Sequence, residues 1–245
     1  YSKYSRVDYL SPITIKRYEE LLDTFEKFRS TGNLLDIGCG TGLFLEFAKK
    51  RGWNVYGTEY TDSAIEICQS KGFTMNQGKL DTNWYGPGMF DVVTSFEVIE
   101  HINNPVEEVQ NIHSILRSGG LFYFTTPNFD AIERRILKEN YNVIEYPEHL
   151  CYFTPKTINY LLTKQGFRKK KLLTSGISMT RIKTSKDMEK GRPMAESLVS
   201  ASSSDEKIRK KLESNFAGVA IKSTANFFLN IFNAGNSLKG WYVKK

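Results

Sequence analysis

The run Asp36-Ile37-Gly38-Cys39-Gly40-Thr41-Gly42 constrains this chain more than any other stretch. It follows a short apolar segment, Leu34-Leu35-Asp36-Ile37, and precedes a helix face made by Leu43, Phe44, Phe47 and Ala48. A strand–turn–helix passage this rich in glycine permits a tight turn and lets a ligand approach the backbone with no Cβ in the way. Glycine alone is a weak signal, because turns use it for their own conformational needs. Glu59 strengthens the signal. It ends the next strand, Asn54-Val55-Tyr56-Gly57-Thr58, about 20 residues on, where an acidic side chain reaches ribose hydroxyls in dinucleotide-binding folds. Asp36, inside the motif, suits a positively charged ligand.

The glycine spacing is GxGxG, not the GxGxxG that cradles a pyrophosphate. S-adenosylmethionine has no pyrophosphate and carries a sulfonium, an ammonium and a carboxylate. The spacing therefore weighs against a nicotinamide dinucleotide and towards that sulfonium cofactor.

Around this turn, helix and strand signals alternate, which argues for an α/β fold with a Rossmann-like parallel sheet and helices on both faces. Ser11-Pro12 reads as a helix start, with Tyr18, Leu21, Leu22, Phe25 and Phe28 at helical spacing. A helix from about Ala64 to Lys71 stops at Gly72, and Phe90–Ser95 is a strand. Asn104 caps the next helix, Pro105 starts it, Val106, Val109, Ile112 and Leu116 line it, and Gly119-Gly120 end it. Leu121–Thr126 is a strand, Thr154-Pro155 opens a further helix, and Phe167–Thr174 is a strand with a basic outer edge. Residues 183–211 are polar and read as a mobile connection or flap. Phe216, Val219, Ala220, Phe227, Phe228 and Ile231 suit one more helix face, and Trp241-Tyr242-Val243 a closing strand.

Composition adds bounds. The 245 residues, 40% hydrophobic and 25% charged, can bury a sizeable core in one domain with an elaboration or a small lobe. No stretch approaches the roughly 20 apolar residues of a membrane-spanning helix. Three widely spaced cysteines, Cys39, Cys68 and Cys151, fit a reducing compartment, and a cytoplasmic protein is expected. The chain opens on Tyr1 rather than Met, which leaves a preceding targeting segment open. The charge is uneven: 16 basic and 21 acidic residues precede Lys164, against 18 and 6 from there on, so a net −5 is followed by a net +12. A basic final third favours a phosphate-bearing small molecule, an acidic membrane surface or nucleic acid, unless it is only a solvated face.

Leu34–Gly42 resembles the first motif of the class I S-adenosylmethionine-dependent methyltransferase family, and Glu59-Tyr60, Phe90-Asp91-Val92-Val93 and Leu116–Gly120 resemble its later ones. Phe96-Glu97-Val98-Ile99-Glu100-His101, Thr126-Pro127-Asn128, and Pro147-Glu148-His149-Leu150 through Phe153-Thr154-Pro155 narrow the likeness. They resemble the branch of ubiquinone-biosynthesis O-methyltransferases and bacterial surface-sugar methyltransferases. The resemblance covers roughly residues 30–175. It implies seven strands, the last antiparallel, with S-adenosylmethionine as cofactor and S-adenosylhomocysteine as product. The chain then divides into an N-terminal helical arm or lid over 1–30, a core over 31–176, a basic helical insertion over 177–235 that resembles no known segment, and a closing strand over 236–245. By the same likeness Asp36, Gly38, Cys39, Gly40 and Gly42 form the cofactor loop, and Glu59 binds the ribose. Tyr60 lies against adenine, Asp81 near its amino group, and Phe96 with Glu97 by the methionine part.

Transfer to a hydroxyl needs a group to take its proton, and a histidine suits that near neutral pH. His113 falls on a helix face away from strand ends and reads as structural. His101 follows the fourth strand's C-terminal end, where ligands collect in open α/β sheets, and His149 sits in a loop expected at the same edge. His101, His149 and Glu100 are the catalytic candidates. A divalent metal is the less favoured alternative. One helical turn would put Glu97, Glu100 and His101 on one side, and with His149 they resemble the ligands of metal-dependent RNA 2′-O-methyltransferases. Tyr1, Tyr4, Arg6 and Tyr9 suit either a lid or a packed arm. The leading expectation is O-methylation of a small molecule: a sugar, a nucleotide-linked sugar or a phenolic precursor. An RNA methyltransferase ranks lower because no RNA-binding module is recognisable. A cofactor-binding but catalytically silent partner is the third reading.

Overall fold

The computed structural model describes residues 10–141, 143–144, 146–177 and 216–245. The arm residues Tyr1, Tyr4, Arg6 and Tyr9 and the polar stretch 183–211 lie outside the described residues, as do the side chains of Phe216, Val219 and Ala220. The elements in order are α1 (Pro12–Phe25), β1 (Asn33–Ile37), α2 (Leu43–Lys50), β2 (Asn54–Glu59), α3 (Asp62–Ser70), β3 (Thr74–Gln77), β4 (Phe90–Phe96), α4 (Pro105–Ile115) and β5 (Leu116–Pro127). There follow α5 (Ile132–Leu137), α6 (Pro155–Lys164), β6 (Phe167–Ser175), α7 (Phe216–Ile231) and β7 (Ser237–Lys244).

The strands form one seven-stranded sheet in the order β3-β2-β1-β4-β5-β7-β6. Its first five pair in parallel, as the alternation of strands and helices requires. β7 runs against its neighbours. Lys244 at its end donates to the carbonyl of Leu116, the first residue of β5, at 2.8 Å, and the Lys245 amide donates to Gly166 O just before β6 at 3.2 Å. The order reverses between β1 and β4, so the turns after these two strands diverge around a crevice, the place where open α/β sheets bind ligands.

The described residues fall into two compact units. The first runs to Thr125 and adds Asn159–Lys171 and Gly240–Lys245. Its core packs Leu34 of β1, Val92 of β4 and Leu121 of β5 with Phe44, Leu45 and Ala48 of α2 and Leu22 and Phe25 of α1, all buried. Each such side chain contributes about 1.5–3 kcal/mol by leaving water. α1 begins as its sequence directs: the Ser11 hydroxyl accepts the Thr14 amide at 3.2 Å, and Pro12 supplies a first residue that needs no donor. His113 packs edge-on against Phe167, ring centres 5.2 Å apart, in the structural position expected.

One boundary moves. α4 ends at Ile115, not at Gly119-Gly120, and Leu116 already pairs with Phe90. The next paired residues are Val92 and Leu121, so the chain from Arg117 to Gly120 is an irregularity within β5. Glycine serves close approach there, since a Cβ on Gly120 would stand 2.9 Å from Arg117 O and 3.2 Å from Asp91 O.

In the second unit, buried Asn128 binds the chain before β7. Its amide donates to Asn236 O at 2.9 Å, and its side-chain nitrogen donates to Asn233 O and Gly235 O at 2.8 and 2.7 Å. Ala131, Leu137, Tyr141 and Val143 make a small core. α7 forms where expected, yet among its described side chains Leu229 is the buried one while Phe227, Phe228 and Ile231 are exposed. Thr174 fixes that orientation, its hydroxyl donating to Leu229 O at 2.8 Å.

Asp91 ties the chain before β1 to β4 and β5. Its carboxylate is fully buried and accepts Ser30 N at 2.8 Å, Gly32 N at 2.7 Å and Arg117 Nε at 2.5 Å. Burial alone would raise its pKa. The bonds from the Ser30 amide, Arg117 and the neighbouring amides outweigh that and hold it below the usual aspartate value. The stability it contributes is present above a pH of about 4 and is lost as the pH falls further. Asp91→Ala should cost about 1–3 kcal/mol in urea unfolding near pH 7, since it strands two amides and removes the partner of the partly exposed Arg117. Below pH 4 its stability should fall less steeply than that of the wild type.

Candidate cofactor and active site

The β1–α2 turn is left-handed at each motif glycine: φ is 65° at Gly38, 53° at Gly40 and 71° at Gly42. Two of these have no room for a side chain. A Cβ on Gly38 would lie 2.6 Å from Val98 Cγ2, and one on Gly42 would lie 2.7 Å from the Phe73 ring. Gly40 differs. Nothing among the described residues comes within 4 Å of where its Cβ would be, so its backbone faces open space. That is the position at which a ligand can approach the main chain.

Glu59, at the C-terminal end of β2, holds this turn. One carboxylate oxygen accepts the Gly40 amide at 2.9 Å; the other accepts Tyr60 N at 2.8 Å and Thr61 N at 3.1 Å. A carboxylate has about four acceptor sites, so it keeps capacity for a ligand hydroxyl. Tyr60 beside it is 67% exposed. A cavity of about 260 Å³ opens next to Tyr60, Lys79, His101 and the first turn of α4. Glu108 in its wall is pushed up to about 7, by burial and then by Glu107, against an opposing pull from Lys79. Asp81 starts a short 3-10 turn, where its carboxylate accepts Asn83 N at 2.9 Å.

Asp36 is 2% exposed and accepts the Thr94 hydroxyl of β4 at 2.6 Å. Burial pushes its pKa up to about 7, with Thr94 lowering it and the Glu59 charge raising it. Thr94 was not singled out in the sequence, where it is one more residue of an apolar strand. Its pairing across from Asp36 supplies the role. Cys68 and Lys71 are likewise additions. Cys68 Sγ lies 3.4 Å from Gly40 O, and Lys71 Nζ donates to Thr41 O at 2.8 Å.

The turn after β4 departs from expectation. Glu97 adopts φ 54°, and its amide bonds Thr125 O at 3.0 Å; a separate 3-10 turn then covers Ile99–His101. Glu97, Glu100 and His101 therefore do not share the one helical turn that their spacing suggested. The left-handed residue, costing about 1–3 kcal/mol outside glycine, swings Val98 against Gly38. Phe96 packs with Phe44 and Tyr123, ring centres 5.1 and 5.5 Å away. Glu100 is buried and His101 exposed, with Oε1 and Nε2 4.0 Å apart. His149 belongs to the second unit. Its Nδ1 lies 2.8 Å from Val143 O, an acceptor only, so Nδ1 carries the proton and Nε2 is the basic nitrogen of the neutral ring.

A family profile described as a methyltransferase domain matches residues 12–172. A ubiquinone biosynthesis O-methyltransferase of Colwellia psychrerythraea is 31% identical over 102 residues, 39% of this chain and 42% of that protein. Its counterpart in Nitrosomonas europaea is 25% identical over 134 residues, 52% and 55% of the two. The chain thus spans about half the length of the curated relatives it matches. Among solved structures, a SAM-dependent methyltransferase from Archaeoglobus fulgidus superposes with a TM-score of 0.58 at 19% identity, over 93% of this chain and 92% of that one. Phosphoethanolamine N-methyltransferase 2 of Haemonchus contortus, in complex with S-adenosyl-L-methionine, gives 0.57 at 17%, over 94% and 52%. At such identities the two structures show the fold.

Because the folded state raises the Asp36 pKa, the unfolded chain ionises first as the pH rises from about 4 to about 7, and stability is lost across that window. Asp36→Asn should flatten the decline in urea midpoint between those values. An unchanged slope would place the titration elsewhere.

Proposed function

The chain belongs to the methyltransferase-domain family, and on that premise we propose that it moves the methyl group of S-adenosylmethionine to a hydroxyl of a small molecule, leaving S-adenosylhomocysteine. The observation that carries this reading is the Glu59–Gly40 pair: a carboxylate with spare acceptor capacity, bonded to the one motif glycine whose backbone faces open space. A ribose diol lying on Glu59 would bring the rest of the cofactor along the glycine turn towards Phe96 and the end of β4. The buried Asp36 supports a cationic ligand, because a sulfonium or ammonium nearby favours its ionised form.

The cofactor supplies the reactive carbon, so the protein's tasks are alignment and proton removal. The acceptor oxygen must sit about 3 Å from the methyl and in line with the departing sulfur. His101 takes the acceptor's proton in this proposal. It is exposed, it follows the C-terminal end of β4, and the buried Glu100 carboxylate beside it stabilises the imidazolium that forms. The names of the curated relatives support oxygen as the atom methylated. The basic final third supports an acceptor bearing phosphate.

The test is transfer of tritiated methyl from S-adenosylmethionine to sugar nucleotides, phenolic quinone precursors and RNA. The proposal expects label in a small molecule; label in RNA alone would overturn it. In calorimetry Glu59→Gln should weaken cofactor binding by about 1–3 kcal/mol, the penalty of an unsatisfied polar contact, while the circular dichroism spectrum is unchanged. His101→Ala should lower turnover by about 10²–10⁴ with cofactor affinity nearly intact. Equal losses in both would mark His101 as structural.

A further inference from the structure

We propose that Cys39 and Cys68 form a reversible disulfide that gates the glycine turn, an inference that rests on the cofactor reading above. Cys39 lies between Gly38 and Gly40 and is half-buried; Cys68, on α3, is fully buried. Both thiols donate to the same carbonyl oxygen, that of Gly40, Cys39 at 3.7 Å and Cys68 at 3.4 Å, so the two sulfurs meet at one atom of the turn. Both are free thiols in this structure. They are separated by 28 residues in sequence and brought together by the packing of α3 beneath the turn.

The surroundings favour a reactive pair. The neighbouring Cys39 holds the Cys68 thiol below its ordinary value against burial, and the Lys71 ammonium one turn on adds to this, which suits Cys68 to attack an oxidised sulfur. Cys39, the less buried of the two, is the one that meets an oxidant first. With hydrogen peroxide as oxidant the step balances. The Cys39 sulfur attacks one peroxide oxygen and expels hydroxide, which leaves as water with the Cys39 proton, giving a sulfenic acid. Cys68 sulfur then attacks Cys39 Sγ, and the second hydroxide leaves with the remaining proton. Two thiols and one peroxide become one disulfide and two waters. A thiol such as glutathione reverses the step by exchange.

The bond would act on the turn itself. A disulfide holds its sulfurs about 2.0 Å apart, far inside any non-bonded contact, so closing it draws Cys39 towards α3. Behind Cys39 stands β2, where a Cβ on Gly57 would come within 2.7 Å of its sulfur, which leaves the chain on either side to absorb the shift. That chain is Gly38 and Gly40, the second of which presents its amide to Glu59 and its open face to the ligand. By linkage, a bound cofactor must then disfavour the disulfide to the same extent that the disulfide disfavours the cofactor.

The experiment treats the whole protein with hydrogen peroxide, with and without S-adenosylmethionine. Intact mass and peptide mapping follow the cross-link, a loss of about 2 Da, and calorimetry measures cofactor affinity before oxidation, after it and after dithiothreitol. The proposal expects a Cys39–Cys68 link, affinity lower by about 10-fold or more, recovery on reduction, and slower cross-linking with cofactor present. Cys68→Ser should form no cross-link, and its own cofactor affinity should be the same before and after peroxide. Failure of the cross-link to form, unchanged affinity in the cross-linked protein, or equal peroxide sensitivity in Cys68→Ser would each overturn the gate. Reduced wild type that binds no cofactor would instead overturn the functional reading beneath it.

Discussion

The bond between the Glu59 carboxylate and the Gly40 amide, 2.9 Å long, joins the two features on which the site depends. It spans adjacent parallel strands, so it forms only if β1 and β2 are in their observed register, with Ile37 opposite Thr58. It also requires the left-handed turn, since a right-handed Gly40 would aim its amide elsewhere. A sheet register, a backbone conformation and a charged side chain thus meet at one contact, which presents acceptor oxygens and a bare peptide edge to the same volume.

Behind that contact lies a graded set of carboxylates. Asp91 is held ionised by amides and Arg117 at the start of β4, where it secures the entry to β1. Asp36 lies near the far end of β1, with a single hydroxyl partner and a pKa of about 7. Glu59 lies at the surface of the turn. The same functional group anchors at one end of the strands and responds to charge at the other, because hydrogen-bond donors are plentiful at the first place and scarce at the second.

Much of this was legible in the sequence. The strand–turn–helix at Leu34–Ala48 and the acid at Glu59 are local patterns, and the alternation of elements sets a parallel sheet with little freedom. Three kinds of information were not local. Gly119-Gly120 punctuates equally well as a helix end or as an irregularity inside a strand, and only the approach of Arg117 O and Asp91 O decides between them. Glu97, Glu100 and His101 have helical spacing, yet the β4 exit turns at φ 54° before any helix begins, which i, i+3 counting cannot foresee. Partners that meet across the sheet or beneath the turn, such as Thr94 for Asp36 or Cys68 for Gly40, carry no sequence signature of their own.

A crystal structure of the chain grown with S-adenosylmethionine tests the central claim most directly. The account predicts both ribose hydroxyls on the Glu59 carboxylate, with the methionine end running along Gly38–Gly42 towards Phe96. A cofactor bound elsewhere, or a Glu59 still engaged only with the amides of Gly40, Tyr60 and Thr61 while the cofactor is present in saturating amounts, would contradict it.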